Sequence, residues 1–308
     1  MANTGKTAVL LLAHGSPDSV EQVPEFLLRV TGGRPLPPPV VEEVKHRYGL
    51  IGRSPLTELT LKQAESLTRE LGMPVYVGMR NWKPFIADAV RDMVSDGVEH
   101  VVAICLAPQN SRTSVGLYRS DLASNQTPFT VDFVESWHDH PLLIKAFAEK
   151  LRAGWDRACH EMGSPKMPII FTAHSVPERT ITEGDPYESQ AKETAALVAR
   201  EAGLAPEDWQ FAFQSQGMSG GTWLGPRVED TILGLKETRH GGVFLQPIGF
   251  LCDHVEVLYD IDIGFKQFAD QHGMRLWRAE SLNDSPLLAA ALADVARSRL
   301  LTVTGGHK

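Results

Sequence analysis

Two seven-residue stretches far apart in the chain limit its possible folds more than any other feature. Leu11-Leu-Ala-His-Gly-Ser-Pro17 is echoed by Phe171-Thr-Ala-His-Ser-Val-Pro177. In each, an apolar run ends in Ala-His and a proline follows three residues after the histidine. Each copy opens a series in which short apolar runs alternate with amphipathic ones, the pattern of a parallel sheet with crossover helices. Strands are expected at 7–13, 74–79, 100–106, 131–134, 167–173, 209–214, 242–248 and 274–277. The expected helices include 57–71, 84–95, 141–161, 187–202, 227–238, 253–270 and 284–299.

Each half also has a later strand ending near a proline, Leu106-Ala-Pro108 in the first and Leu245-Gln-Pro247 in the second. We read this as one Rossmann-like unit, duplicated and diverged. The expected fold is therefore α/β, two Rossmann-like domains with parallel sheets, spanning 1–150 and 151–308. The long helix at 141–161 would bridge them, and Pro165 would lead into the second domain's first strand. A length of 308 residues suits two domains at roughly 100–200 residues each.

Ligands on open parallel sheets bind beyond the carboxyl ends of the strands. Two such domains facing each other would set His14 and His174 on opposite walls of one cleft. A single strand-end histidine serves equally well as a hydrogen-bonded cap. Two equivalent ones shift the reading toward function.

Composition narrows the class. Hydrophobic residues at 43% and charged residues at 22% are ordinary for a globular protein, and a net charge of −8 argues against an open nucleic-acid surface. The three cysteines, Cys105, Cys159 and Cys252, form no C-x-x-C pair. That excludes a disulfide framework, a Cys-rich zinc module and a four-cysteine iron–sulfur cluster held by this chain alone. The apolar run Thr7–Ala13 is too short for a signal peptide and meets His14-Gly-Ser-Pro17 without a small-residue cleavage site. No stretch approaches the ~20 apolar residues of a membrane helix. A soluble cytoplasmic enzyme without an integral membrane segment is expected.

An insertion at about 20–56 carries Arg34-Pro-Leu-Pro-Pro-Pro39, which reads as a semi-rigid extended segment. Arg29, Arg34, Lys45, Arg47 and Arg53 there outnumber Glu42 and Glu43. The excess of positive charge suits an anionic ligand, and a solvated helix face suits it equally well.

The segment densest in chemical groups is Asp253-His-Val-Glu-Val-Leu-Tyr-Asp-Ile-Asp262. On a helix, Glu256 and Asp260 share one face and repel by a few tenths of a kcal/mol when exposed. The pairing becomes useful if the two handle a cation, and carboxylate with imidazole suits divalent iron, zinc or manganese. The strand ending Pro247-Ile-Gly249 brings this helix to the sheet end that carries His174. Gly217-Met-Ser-Gly-Gly221 matches the G-x-S-x-G nucleophile elbow, with Ser219 at its centre. However, the glycines run on through Thr222-Trp-Leu-Gly-Pro226, so a helix starts only after that proline and a flexible loop is expected. No Gly-Lys-Ser/Thr and no G-x-G-x-x-G follows the first strand, so no nucleotide site is expected.

Taken together these residues resemble the ferrochelatases, especially the short soluble Bacillus-type coproporphyrin ferrochelatases, nearly end to end. In the first half the resemblance lies in Arg47-Tyr48, Ser54-Pro-Leu56, Tyr76-Val-Gly-Met-Arg80 with Pro84-Phe85, Leu106-Ala-Pro108 and Val134-Glu-Ser-Trp137. The second half adds Ala173-His-Ser-Val-Pro177, Gly184-Asp-Pro-Tyr187, Gln214-Ser215, Trp223-Leu-Gly-Pro226, Pro247-Ile-Gly-Phe250, Asp253-His-Val-Glu256 and Leu282-Asn283. The resemblance implies two domains around a porphyrin cleft and insertion of Fe²⁺, as substrate, into the ring. It implies His174 and Glu256 as catalytic residues, and His174, Glu256, Asp260 and His14 on the path of the metal. His14, Ser16, Arg47, Ser54, Ser114, Tyr118 and Trp223 would contact the porphyrin.

Two departures stand out. The Bacillus-type enzymes carry a tyrosine at the position of His14, and Gly264 interrupts their row of acids. Likeness to that type, Trp137 included, favours coproporphyrin III and a coproheme product. The change at His14 leaves protoporphyrin IX open, and a porphyrin- or haem-binding carrier is the non-enzymatic alternative. With no cysteine beyond Cys252, the form without an iron–sulfur cluster is expected, and it is expected to be a monomer.

Overall fold

A parallel strand covered on both faces needs an unbroken apolar run, and Thr7–Ala13 supplies one. The computed structural model describes residues 5–217 and 221–304. It divides into two compact units. One comprises the residues up to Pro108, Ser114–Trp137 and those from Asn283 on, and the other comprises Gln109–Thr113 with His138–Leu282.

The first unit runs β1 (Thr7–Ala13), α1 (Val23–Val30), α2 (Pro38–Ile51), α3 (Leu56–Leu71), β2 (Val75–Met79), α4 (Ile86–Ser95), β3 (His100–Cys105), α5 (Val115–Ser124) and β4 (Thr130–Val134). Its four strands are parallel, in the order β2-β1-β3-β4. Ala8 to Leu12 of β1 are fully buried. Ile86, Ala89, Val90 and Met93 of α4 pack on one face, against Ala8, Leu10, Leu12, Val101 and Ala103.

The Pro-rich segment stays non-helical as far as Pro37, with φ of −55° and ψ of 138°. Pro38 opens a helix, because the first turn needs no N–H from that position and proline's fixed φ already suits it. Most of the insertion's basic residues are paired with nearby acids: Arg29 with Glu25, Lys45 with Glu42, Arg47 with Glu43 and Arg53 with Asp18. These partly exposed pairs each contribute about 0–1 kcal/mol. They do offset much of the positive charge counted along the chain.

The second unit runs α6 (Pro141–Met162), β5 (Ile169–His174), α7 (Glu178–Thr182), α8 (Tyr187–Ala202), β6 (Trp209–Gln214), α9 (Val228–Glu237), β7 (Gly242–Pro247), α10 (Val255–Leu258), a π-helical turn (Asp260–Phe265), α11 (Lys266–Gln271) and β8 (Arg275–Arg278). Its sheet, β6-β5-β7-β8, is also parallel and repeats the strand order of the first. The helix read as a bridge, α6, belongs to this unit and packs on α8, β7 and β8. The chain then returns to the first unit, where α12 (Pro286–Thr304) packs on α3 and β3.

Gly154 shows why α6 lies so close to its sheet. A Cβ there would sit 2.8 Å from Cζ of Phe244, which is fully buried in β7. Gly49, in the exposed part of α2, meets nothing within 4 Å. Gly154→Val is therefore expected to lose about 1–3 kcal/mol to overpacking. Gly49→Ala should instead gain about 0.5–1 kcal/mol. Urea unfolding midpoints that move in opposite directions check the pair; a stabilised Gly154→Val would contradict this packing.

Candidate active site

In an open sheet of this order the strand order reverses between β5 and β7, leaving a crevice beyond their carboxyl ends. His174 is the last residue of β5, in register with Gln214, the last of β6. Backbone bonds continue past the strand ends, from Ser175 N–H to the Gln214 carbonyl at 2.7 Å and from Ile248 N–H to that of Thr172 at 2.9 Å. The sheet thus holds His174 and the departing end of β7 as one rigid frame.

The segment that follows β7 supplies the partner. Nδ1 of His174 lies 2.9 Å from Oε2 of Glu256, and both side chains are about one-third exposed, at 35% and 33%. An ionised carboxylate only accepts, so Nδ1 carries the proton and Nε2 keeps the lone pair. Burial alone would lower the pKa of His174. The charge and hydrogen bond of Glu256, with the charge of Asp260, outweigh burial and hold it above its ordinary value. Tyr187 steadies the histidine by donating its hydroxyl to the His174 carbonyl at 2.9 Å, and burial pushes that phenol's pKa up. Burial lowers the pKa of neighbouring His254, whose Nδ1–H is donated to the Cys252 carbonyl at 3.0 Å.

The helix expected over 253–270 is not continuous. One turn of α10 gives way to a π-turn in which the Tyr259 carbonyl accepts from Ile263 at 3.1 Å and from Gly264 at 2.8 Å. Glu256 and Asp260 differ in their partners. Asp260 is instead held by the Ser215 hydroxyl, on a backbone with φ of +58°, a region serine seldom occupies. Buried Gln214 ties this arrangement to the sheet. Its amide nitrogen donates to the Glu256 carbonyl at 3.0 Å and to the Ser215 hydroxyl at 3.2 Å, while its oxygen accepts from Thr172 at 3.2 Å. Among the described residues no group of three or more His, Cys, Asp or Glu is arranged to hold a metal ion.

The other residues singled out from the sequence are spread over both units. His14 follows β1, donates Nδ1–H to the Gly15 carbonyl at 3.0 Å and sets its ring edge-on to Phe26. Ser16 is buried with its hydroxyl 3.1 Å from that of Tyr48. Arg47 pairs with Glu43 at 2.9 Å. Ser54 is buried, Ser114 immediately precedes α5 without a side-chain capping bond, and Tyr118 is buried within that helix, where burial raises its phenol pKa. In the second unit Trp223 lies on a loop that bridges to Pro177, three residues beyond His174. Ser219 of the G-x-S-x-G match lies outside the described residues. Sequence reasoning gave no role to Tyr187 or Gln214. The register of β5 against β6 is the signal that could have found Gln214.

The ferrochelatase family model matches residues 6–300. The chain belongs to the ferrochelatase family. A ferrochelatase of Acidobacterium capsulatum is 55% identical, the alignment covering 96% of this chain and 95% of that one. A coproporphyrin III ferrochelatase of Geobacillus kaustophilus is 37% identical over 96% of each. Among solved structures, the sirohydrochlorin chelatase SirB from Bacillus subtilis subspecies spizizenii, in complex with cobalt, superposes with a TM-score of 0.60 at 10% identity over 98% of each chain. CbiX, from denitrifying bacteria, gives 0.53 at 14%, covering 94% of this chain and 98% of that one. These two share the fold of this ferrochelatase. The enzyme is a metal-chelating lyase whose substrates are Fe²⁺ and a porphyrin. Among its described residues no helix is long and apolar enough to cross a membrane.

Because Glu256 holds the His174 proton in place, imidazole resonances should show His174 titrating above the ordinary ~6.5. Glu256→Gln removes the charge that favours the imidazolium and should shift the midpoint to lower pH. An unchanged midpoint in Glu256→Gln would show that the carboxylate does not act on the ring.

Proposed function

We propose that this enzyme inserts Fe²⁺ into coproporphyrin III, giving coproheme, with His174 as the group that takes a pyrrole proton. The reading rests above all on the 2.9 Å contact between His174 and Glu256 at the carboxyl end of β5. A free porphyrin carries two pyrrole N–H protons in a nearly planar ring, so metal entry requires the ring to pucker and both protons to leave. His174 offers the Nε2 lone pair, and Glu256 stabilises the imidazolium that forms. Glu256 and Asp260 also reduce the cost of stripping water from the incoming cation and lead protons away. Ser16, Arg47, Ser54, Ser114, Tyr118 and Trp223 are the residues proposed for porphyrin binding.

The choice of coproporphyrin III is supported by relatives from Geobacillus and Bacillus pumilus that bear that substrate in their names, at 34–37% identity. The histidine at position 14 favours a second reading, protoporphyrin IX, since it departs from the Bacillus-type residue. His174→Ala and Glu256→Gln are each expected to slow iron insertion by about 10²–10⁴-fold while leaving porphyrin affinity within a few-fold. Purified enzyme given Fe²⁺ and each porphyrin side by side should turn over coproporphyrin III faster. Faster turnover of protoporphyrin IX would favour the second reading, and binding without metallation would identify a carrier.

His14 is proposed as a ligand of the product iron. Donation of its Nδ1–H to Gly15 sets Nε2 as the nitrogen with the lone pair. Imidazole is a competent ligand of haem iron. The absorption spectrum of the bound metalloporphyrin should therefore change in His14→Ala, with faster product release. An unchanged spectrum would refute the ligation.

A further inference from the structure

Asp253, Glu256, Asp260 and Asp262 place four carboxylates within ten residues. The α10 helix is a single turn, and the π-turn beyond it has a rare and locally unfavourable hydrogen-bond pattern. Such a segment needs restraint from outside. Gln214 and Ser215 restrain it at Glu256 and Asp260. A second restraint acts on the two outer acids.

Arg278, the last residue of β8, is largely buried, with 14% of its side chain exposed. Its guanidinium forks onto Asp262, Nε to Oδ1 at 2.7 Å and Nη2 to Oδ2 at 2.8 Å. The same Nη2 lies 3.3 Å from Oδ1 of Asp253, and Nη1 donates to the Ala279 carbonyl at 3.0 Å. Asp253 also accepts from the Ser281 hydroxyl at 2.8 Å. One planar cation thus joins residues on either side of Glu256 and Asp260 and anchors both to the sheet.

We infer that Arg278 is a positioning residue for metal insertion, bridging Asp253 and Asp262 so that the intervening segment presents Glu256 to His174. The inference rests on the role proposed above for that histidine–carboxylate pair. The arrangement also sorts the charges: Arg278 offsets one of the two negative charges on the outer acids, and the inner two are left to face His174 and the cation. Lysine retains the charge at this position but has no fork, so it cannot hold both carboxylates in one plane.

The test is Arg278→Lys, read for kcat, for porphyrin KM and for the ¹⁵N shifts of the His174 ring, which report which nitrogen carries the proton. A misplacement of about 1 Å at a reacting centre costs up to about 100-fold. We therefore expect kcat to fall about 10–100-fold with porphyrin KM within about twofold. The ring shifts should move toward those of Glu256→Gln, and Arg278→Lys should add little further loss in the Glu256→Gln background. Equal losses in both backgrounds, or unchanged ring shifts in a folded variant, would overturn the inference and leave Arg278 a structural residue. Should Arg278→Lys not fold, Asp262→Asn keeps an acceptor and is read in the same way. If the unaltered enzyme metallated no porphyrin, the proposed function would fall, while the ring shifts would still decide whether the clamp sets the pair.

Discussion

A parallel strand buried on both faces has one place to display a reactive side chain, which is where it stops. In this protein β5 stops at His174, and the sheet on either side keeps the backbone there from moving. Everything chemical in the second unit follows from that constraint. Glu256 must be brought to the strand end, because the strand cannot be bent to meet it. The residues that do so, Gln214, Ser215 and Arg278, all lie at or just beyond the ends of strands β6 and β8. The frame is thus made of strand ends, and the irregular segment 253–265 is fitted to it.

Electrostatics explains why the fitting takes so many contacts. Carboxylates crowded at one sheet end repel one another in surroundings that screen less well than water. Three kinds of group meet the four: one shared guanidinium for Asp253 and Asp262, an imidazole for Glu256 and a hydroxyl for Asp260. Among these partners only the imidazole changes charge near neutral pH. The pair that can exchange a proton is therefore the pair that the crowding bears on, and a raised His174 pKa is its consequence.

The strands were legible in the sequence because their burial leaves a local mark. Thr7–Ala13 and Gly242–Pro247 read as apolar runs, and the repeated Ala-His carried the strand ends and hence His174 and His14. Helix pairing was legible only in part. Charge counting over 29–53 suggested a positive surface, yet Glu25 with Arg29, Glu42 with Lys45 and Glu43 with Arg47 were already spaced to pair within helices. The long helix α6 read as a connector because its membership depends on what it packs against, which periodicity does not carry. The return of α12 to the first unit was hidden for the same reason.

The π-turn is the least legible feature and the one with the most consequence. A register of 3.6 residues places Asp260 one turn above Glu256, as two similar groups on one face. Their side-chain partners break that equivalence. Asp260 is held by the Ser215 hydroxyl, and the π-turn that follows brings Gly264, where the row of acids is interrupted, into the closing hydrogen bond with Tyr259. Two carboxylates that look interchangeable in sequence therefore have different surroundings. Glu256 is bonded to the imidazole, and Asp260 acts on it through charge alone. A cation reaching this strand end would meet Asp260 tethered by a hydroxyl and Glu256 tethered by a proton that can leave. Of the two, Glu256 is the carboxylate whose partner's charge can change as the metal arrives.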